Sequence, residues 1–371
     1  MKIIRDAIHS NIELNELELA ILDTPQMQRL RHIRQLALTY LVYPSASHTR
    51  FEHSLGTFHL TKLLSDRLFE DKRERELLCL AAMLHDVGHP AFSHLPEELI
   101  REHTGKTHEQ LGEEKIISGN IADVLVKNSI SPKELLKIYK SEKAEIITSE
   151  LGTDRMDYLL RDAYFTGVGY SLIDAERLLF SLAFKEGKLM IQEKGVLAAE
   201  SLLVSRYLMF NAVYNHHAVR IAKEMLEKAL RVAVSHEKIK IEEISDGADD
   251  VVLNTLRAEP LVNSILTRNL YKAAYEKADF AIGKNENKAK KEIEGALLAE
   301  LNYADFVICL PKQPMGGIKM KLLKESGGTV DFSFVSSISK AVSMQPKASG
   351  LIVAASKQSL EKARKICKKT L

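Results

Sequence analysis

From Leu77 to Leu84 every residue is apolar, and the run ends abruptly in His85-Asp86, followed by Gly88 and Pro90. The stretch ERELLCLAAMLHD, helical from Glu76 to Asp86, has no side left for water and is expected to be a central buried helix. Gly88 and Pro90 stop it. Two polar groups at the end of such a helix are costly to bury unless something pairs with them. A helix C-terminus carries negative partial charge and favours a cation. Imidazole beside carboxylate suits a divalent metal such as Mn, Fe or Zn, or Mg where carboxylates and waters dominate. A His-Asp pair that merely caps its own chain is the simpler account of the dipeptide alone, because single short motifs recur by chance.

The companions of that pair change the balance. Of thirteen histidines, six fall in one pattern: His48 and His53 in HTRFEH, His85 and His89 in HDVGH, then His94 and His108. Arg50 and His53 are three apart, so a helix presents them on one face, one able to ligate metal and the other to hold phosphate. Asp154, Tyr158, Arg161 and Asp162 share a face by the same reasoning. Asp157 and Arg161, at helical i, i+4 spacing, are expected to form a surface ion pair.

The ordered segments HTRFEHSLG (48–56), HDVGHPAFSH (85–94), HEQ (108–110) and DRMDYLLRD (154–162) resemble the HD-domain phosphohydrolases. More narrowly, they resemble the deoxynucleoside triphosphate triphosphohydrolases of the SAM-and-HD-domain type and the bacterial deoxyguanosine triphosphatases. The likeness reaches outward to residues 4–36 and 205–217, and so covers most of 1–220. It implies metal ligands at His53, His85, Asp86 and Asp154, and phosphate-facing or catalytic histidines at His89, His94 and His108. It implies substrate contacts from Gln35, Leu36, Arg50, Arg155, Tyr158, Asp162, Arg206 and Tyr214. Gln35-Leu36 is expected to end the helix opened by Thr24-Pro25 and to lie against the sugar, favouring deoxyribose. The resemblance further implies a divalent metal (Mg, Mn, Fe, Ni or Zn), a nucleotide substrate, and assembly into a dimer or tetramer. His216 transfers no better than as an ordinary core or surface histidine.

Three positions depart from the family pattern. Arg155 stands where the triphosphohydrolases usually carry Lys, Pro90 where Gly is common, and Arg5 where a smaller polar residue is usual. Lys2, Asp23 and Arg31 match a site that holds an activating nucleotide in regulated relatives, although Arg31 fits a helix-surface charge equally well. The reaction implied is hydrolysis of deoxynucleoside triphosphates to deoxynucleoside and inorganic triphosphate. The alternative is a phosphatase acting on other nucleotides or phosphomonoesters, and Arg155 keeps it open.

With 371 residues the chain exceeds what one core usually serves, so a main core with an appended lobe is expected. The fold class is mainly α: an HD-type helical domain over 1–235, a helical extension over 236–301, and a small α/β lobe over 302–371. Helices are expected near 53–68, 108–117, 144–162, 174–183, 197–230 and 286–300, with a hairpin at 188–197; KIKIEEI (238–244) is ambiguous. DFVICL, GIKMKLL, TVDFSF and GLIVAA read as the strands of the lobe, followed by a helix from Ser359. Gly167 and Gly169 read as a turn, and Lys362, Lys368 and Lys369 as a solvated helix face.

Lys and Arg (52) balance Asp and Glu (50), so bulk charge gives no reason to expect a nucleic-acid partner. The three cysteines are scattered, which favours a reducing cytoplasm over a disulfide framework. The N-terminus lacks an apolar signal stretch, and no run approaches the length expected of a membrane span. A cytoplasmic location without a membrane partner is therefore expected.

Overall fold

The computed structural model describes residues 1–170, 173–278, 286–311, 320–344 and 350–371. The fold is mainly α. Its centre is a helical hairpin, Arg50–Leu68 followed by Lys72–Leu84, crossed by Thr153–Thr166. Thr49 and Glu52 cap the first helix reciprocally, and Asp71 caps the second through the amides of Arg73 and Glu74. Leu77 through Leu84 are all buried, as an all-round apolar helix requires. His85 is the C-cap, so the helix ends just where its side chains become polar.

The main core joins these helices to the 108–139 segment and to Val196–Met209. A second core gathers Phe92, Leu99 and Ile100 with the His217–Ser235 helix and with Ile244, Leu253 and Val262. The turn that carries the histidines after Asp86 therefore lies between two cores.

Several elements differ from the sequence expectation. Lys2–Asp6 and Ser10–Leu14 form an antiparallel hairpin that the pattern of side chains did not announce. The Thr24-Pro25 helix stops at Arg29 and gives way to a short 3-10 turn, so Gln35 and Leu36 lie beyond it, on irregular backbone. The expected 144–162 helix is two helices, Glu145–Thr148 and Thr153–Thr166. Gly152 sits at the break, where a Cβ would lie 2.1 Å from the Ile147 carbonyl oxygen. The 174–183 helix ends at Ser181, and Leu182–Lys185 pairs with Lys188–Gln192 across a turn at Glu186-Gly187. The hairpin thus lies upstream of its expected place. The 197–230 helix is interrupted by a π-turn at Phe210–Tyr214 before resuming at His217. KIKIEEI resolves into the helix Ile241–Ser245.

Lys321–Leu323 runs parallel to Lys188–Gln192 and antiparallel to Thr329–Asp331, after which TVDFSF turns into a helix. A second sheet has the order Lys272–Lys277, Leu351–Ala355, Phe306–Cys309, all antiparallel, with the Leu360–Thr370 helix against it. One of its edges thus comes from the segment expected to be a helical extension. Residues 317–319 of GIKMKLL lie outside the described residues. Gly167 caps its helix in the left-handed conformation, and Lys362, Lys368 and Lys369 are exposed.

The helical run Glu193–Tyr214 is long and apolar enough, by length and composition, to cross a membrane, with mean hydropathy 1.3. This corrects the expectation that no run comes close. Leu202, Leu203, Met209 and Val213 on this run are buried in the main core.

Candidate metal and phosphate site

His53 projects from the first turn of Arg50–Leu68 and is 1% exposed. Its Nδ1 donates to Asp157 Oδ2 at 2.8 Å, because a carboxylate can only accept. That leaves Nε2 as the ring atom available to a metal, 3.0 Å from Asp154 Oδ1. His85 repeats the logic with a backbone partner: Nδ1 donates to the Ala82 carbonyl at 2.7 Å. Its Nε2 is buried without a hydrogen-bond partner, 3.3 Å from Asp86 Oδ1 and 3.8 Å from Asp154 Oδ1.

Donor atoms of His53, His85 and Asp86 lie within 4.8 Å of one another. Two imidazole Nε2 atoms, each with its Nδ1 engaged elsewhere, converge on two carboxylates and fit a divalent metal, and the orphaned His85 Nε2 is the atom that such an ion would satisfy. The charge balance agrees. Burial opposes a charge on His53, yet contacts with Asp154 and Asp157 outweigh it and push the ring up to about 10, so the carboxylates favour a cation here and a bound metal would take the place of the Nε2 proton. Burial raises Asp86 too, but Arg50, His85 and His89 hold it well below the usual carboxylate range.

The Asp157–Arg161 pair corrects the sequence reading. Both residues are fully buried, not on the surface. Arg161 bonds Asp157 at 2.9 Å and Asp6 at 2.9 Å, and His9 Nε2 meets Asp157 Oδ1 at 2.6 Å. Arg161 therefore faces the N-terminal hairpin and not the face of Asp154 and Tyr158. Gly56 makes room: a Cβ there would lie 1.8 Å from Asp157 Oδ1.

Beside the metal cluster stands a row of histidines. His89 and His108 stack with centroids 4.1 Å apart, and His94 stands edge-on to His89 at 4.6 Å. Glu97, which the sequence reading missed, meets His94 Nδ1 at 3.2 Å and also contacts His108 Nδ1. Its only sequence signal is the i, i+3 spacing from His94. Burial and the nearby Arg50 keep His89 well below the usual imidazole range, hence neutral.

These three histidines face a cavity of about 440 Å³. Gln35, Arg50, His85, Asp86, His89, His94, His108, Asp154 and Tyr158 line it. Arg50 is 3% exposed, donating to Asp86 Oδ2 at 2.6 Å and to Ser93 Oγ at 2.8 Å. The other expected substrate contacts do not line this cavity. Leu36 is in the main core. Arg155 and Arg206 both pair with Glu150. Asp162 is held between His48 at 2.7 Å and the Tyr214 hydroxyl at 2.6 Å. His216 caps the helix that follows it, accepting from the Ala218 amide. Arg31 lies 3.5 Å above the Phe51 ring.

Comparison with known proteins matches residues 50–162 to the HD domain and residues 173–371 to the HD associated region. The chain is 42% identical over 280 residues to an uncharacterized protein of Methanocaldococcus jannaschii, covering 73% of this chain and 59% of that one. It is 29% identical over 387 residues to the deoxynucleoside triphosphate triphosphohydrolase SAMHD1 of Bos taurus, covering 83% and 66%. The chain thus spans between about half and two thirds of the length of these curated relatives. The crystal structure of a hypothetical protein from Aquifex aeolicus superposes with a TM-score of 0.82, 32% identity and 99% of each chain covered. With the helical hairpin, the converging His and Asp side chains and both matched regions in their order, the chain belongs to the HD-domain phosphohydrolase family.

Proposed function

We propose that this protein is a metal-dependent hydrolase of deoxynucleoside triphosphates, releasing deoxynucleoside and inorganic triphosphate. The observation that carries the reading is one cavity in which His85, Asp86 and Asp154, with buried His53 against them, adjoin the row His89, His94 and His108. A divalent metal bound by the first set supplies Lewis acidity toward a phosphoryl oxygen and a water of lowered pKa. The protein's own groups do the rest. Arg50 offers donors to phosphate oxygens, and neutral His89, its Nε2 3.2 Å from Asp86 Oδ1, stands beside it in the cavity wall. His94 and His108 both turn Nδ1 toward Glu97, which leaves Nε2 of either ring to hold the proton that the departing 5′ oxygen needs. Tyr158 and Gln35 line the walls where the nucleoside would lie. The deoxyribose part of the reading draws support from the likeness to SAMHD1.

A second reading, a phosphatase for other nucleotides or phosphomonoesters, has its own observation. Glu150 binds both Arg155 and Arg206, so Arg50 and Lys140 are the cavity's Arg and Lys side chains among the described residues. That is few for a triphosphate chain. A turnover panel of all ribo- and deoxyribonucleoside triphosphates with several metals, analysed for inorganic triphosphate, separates the two. Triphosphate release with deoxynucleotides favoured about ten-fold or more supports the first reading. Orthophosphate or pyrophosphate release, or equal rates on both sugars, supports the second.

A further inference from the structure

Asp249 belongs to the HD associated region, 155 residues or more beyond the histidine turn, and is fully buried. Its Oδ1 accepts the Phe92 amide at 2.7 Å, and its Oδ2 accepts the Arg34 amide at 3.0 Å. The nearest guanidinium, that of Arg34, stands 3.6 Å away and is itself partly in solvent. Burial pushes the Asp249 carboxyl up to about 6, so the group is held at a cost. A buried carboxylate spent on two backbone amides from separate segments calls for a reason beyond packing.

The two segments supply one. Phe92 and Ser93 both adopt left-handed backbone, with φ of 64° and 59°. For residues other than glycine such conformations cost of order 1–3 kcal/mol each and persist only where surroundings enforce them. This strained turn lies between His89 and His94 and carries Ser93, whose hydroxyl accepts from Arg50 and donates to the Arg34 carbonyl at 2.9 Å. The Arg34 segment, in turn, leads directly into Gln35, which also lines the cavity. Neighbouring backbone reinforces the tie. The Ala91 amide donates to Ile244 at 3.0 Å, and Arg29 spans from the carbonyls of Val87 and His89 to that of Gly247.

We propose that Asp249 is a positioning residue: it fixes the strained Phe92-Ser93 turn, and through it the placement of His89, His94 and Arg50, so that the associated region completes the hydrolytic site. The proposal rests on the reading of these histidines as phosphate-handling groups, and its test has a readout independent of turnover. Full-length, metal-loaded Asp249→Asn and Asp249→Ala are compared with the parent by hydrogen exchange, metal content and steady-state kinetics on the best substrate of the panel above. Asn keeps one acceptor oxygen and Ala none, so the effect should be graded. Exchange in residues 87–95 is expected to accelerate at least five-fold, with Arg50–Leu68, Thr153–Thr166 and bound metal unchanged. The kcat is expected to fall at least five-fold with KM within two-fold, Ala below Asn. Unchanged exchange at 87–95, acceleration spread over the whole chain, metal loss, or a kcat within two-fold overturns the proposal. Should the turn loosen as expected while even the parent hydrolyses no nucleotide, the clamp stands and the nucleotide reading falls.

Discussion

His53 can offer only one ring nitrogen to a metal because Asp157 holds the other, and Asp157 is itself fixed by His9 and Arg161. Partners of this kind set the tautomer and orientation of a metal-ligating imidazole, and losing one typically costs 10–100-fold in metal affinity. Asp157→Asn is therefore expected to bind metal roughly 10–100-fold more weakly while keeping its helix content, and Asp154→Ala to bind more weakly still. Competition titration against a chelator, with circular dichroism as the control, measures both. An Asp157→Asn affinity within two-fold of the parent would remove Asp157 from the site. That His53, His85-Asp86 and Asp154 come together was legible from their order and context, and the fold brings these side chains within a few ångströms of one another. Asp157 was not legible: an Asp and an Arg four apart on a helix are usually a solvated pair. What buries them is the hairpin bearing Asp6 and His9, and His9 is 148 residues away in sequence.

Elements were readable where the chain carries its own punctuation. The apolar run before His85 and the left-handed Gly167 mark helix ends locally, and both lie where the sequence puts them. The N-terminal hairpin was not readable, because its alternation fully buries only Asp6, Ile12 and Leu14, with Ile4 half-buried, and its energy comes from docking. That docking brings His9 and His59 to 5.3 Å between centroids. Burial first, then the neighbouring His9, pushes His59 down to about 4. An unfolded chain would protonate it near 6.5, so the folded state binds fewer protons between those values. The neutral ring's contribution is thus complete above about pH 6.5 and is lost as pH falls toward 4. Because the ring is only partly buried, solvent screening reduces the loss to roughly 1 kcal/mol. Asp249, raised to about 6, works in the opposite sense over part of this range, so the parent curve alone is not diagnostic. The test compares urea midpoints of parent and His59→Gln at pH 7.5 and 5: the parent should lose about 1 kcal/mol more than the variant. Equal losses would show that His59 titrates normally.

At the scale of the molecule, the C-terminal sheet is joined to the helical body by pairings that no local pattern encodes. Lys321–Leu323 extends a hairpin more than a hundred residues earlier, and Lys272–Lys277 forms an edge of the other sheet. Composition announced strands there; their order and partners are non-local and were out of reach. Two cations on the His217–Ser235 helix fasten the second sheet. Lys228 Nζ donates to the Phe306 carbonyl at 2.8 Å and sits 3.7 Å above the Tyr303 ring. Arg220, 5% exposed, places Nη2 within bonding distance of three carbonyls: Cys309 at 3.2 Å, Leu310 at 2.9 Å and Gly350 at 2.8 Å. An apolar replacement of similar length fills the space but leaves those oxygens without this donor, and a buried acceptor left unsatisfied costs about 1–3 kcal/mol. Water can reach some of the vacated positions, so the sum for Arg220→Met is expected to be about 2–4 kcal/mol and not three full penalties. The loss should be local, because the candidate metal ligands lie in and around the other core: protease cleavage within 300–371 should accelerate while metal content stays at the parent value. Thermal unfolding and timed proteolysis of the metal-loaded protein decide it. A variant as stable as the parent, or one that loses metal together with its C-terminal sheet, would mean that Arg220 is not the fastening that its three carbonyl contacts describe.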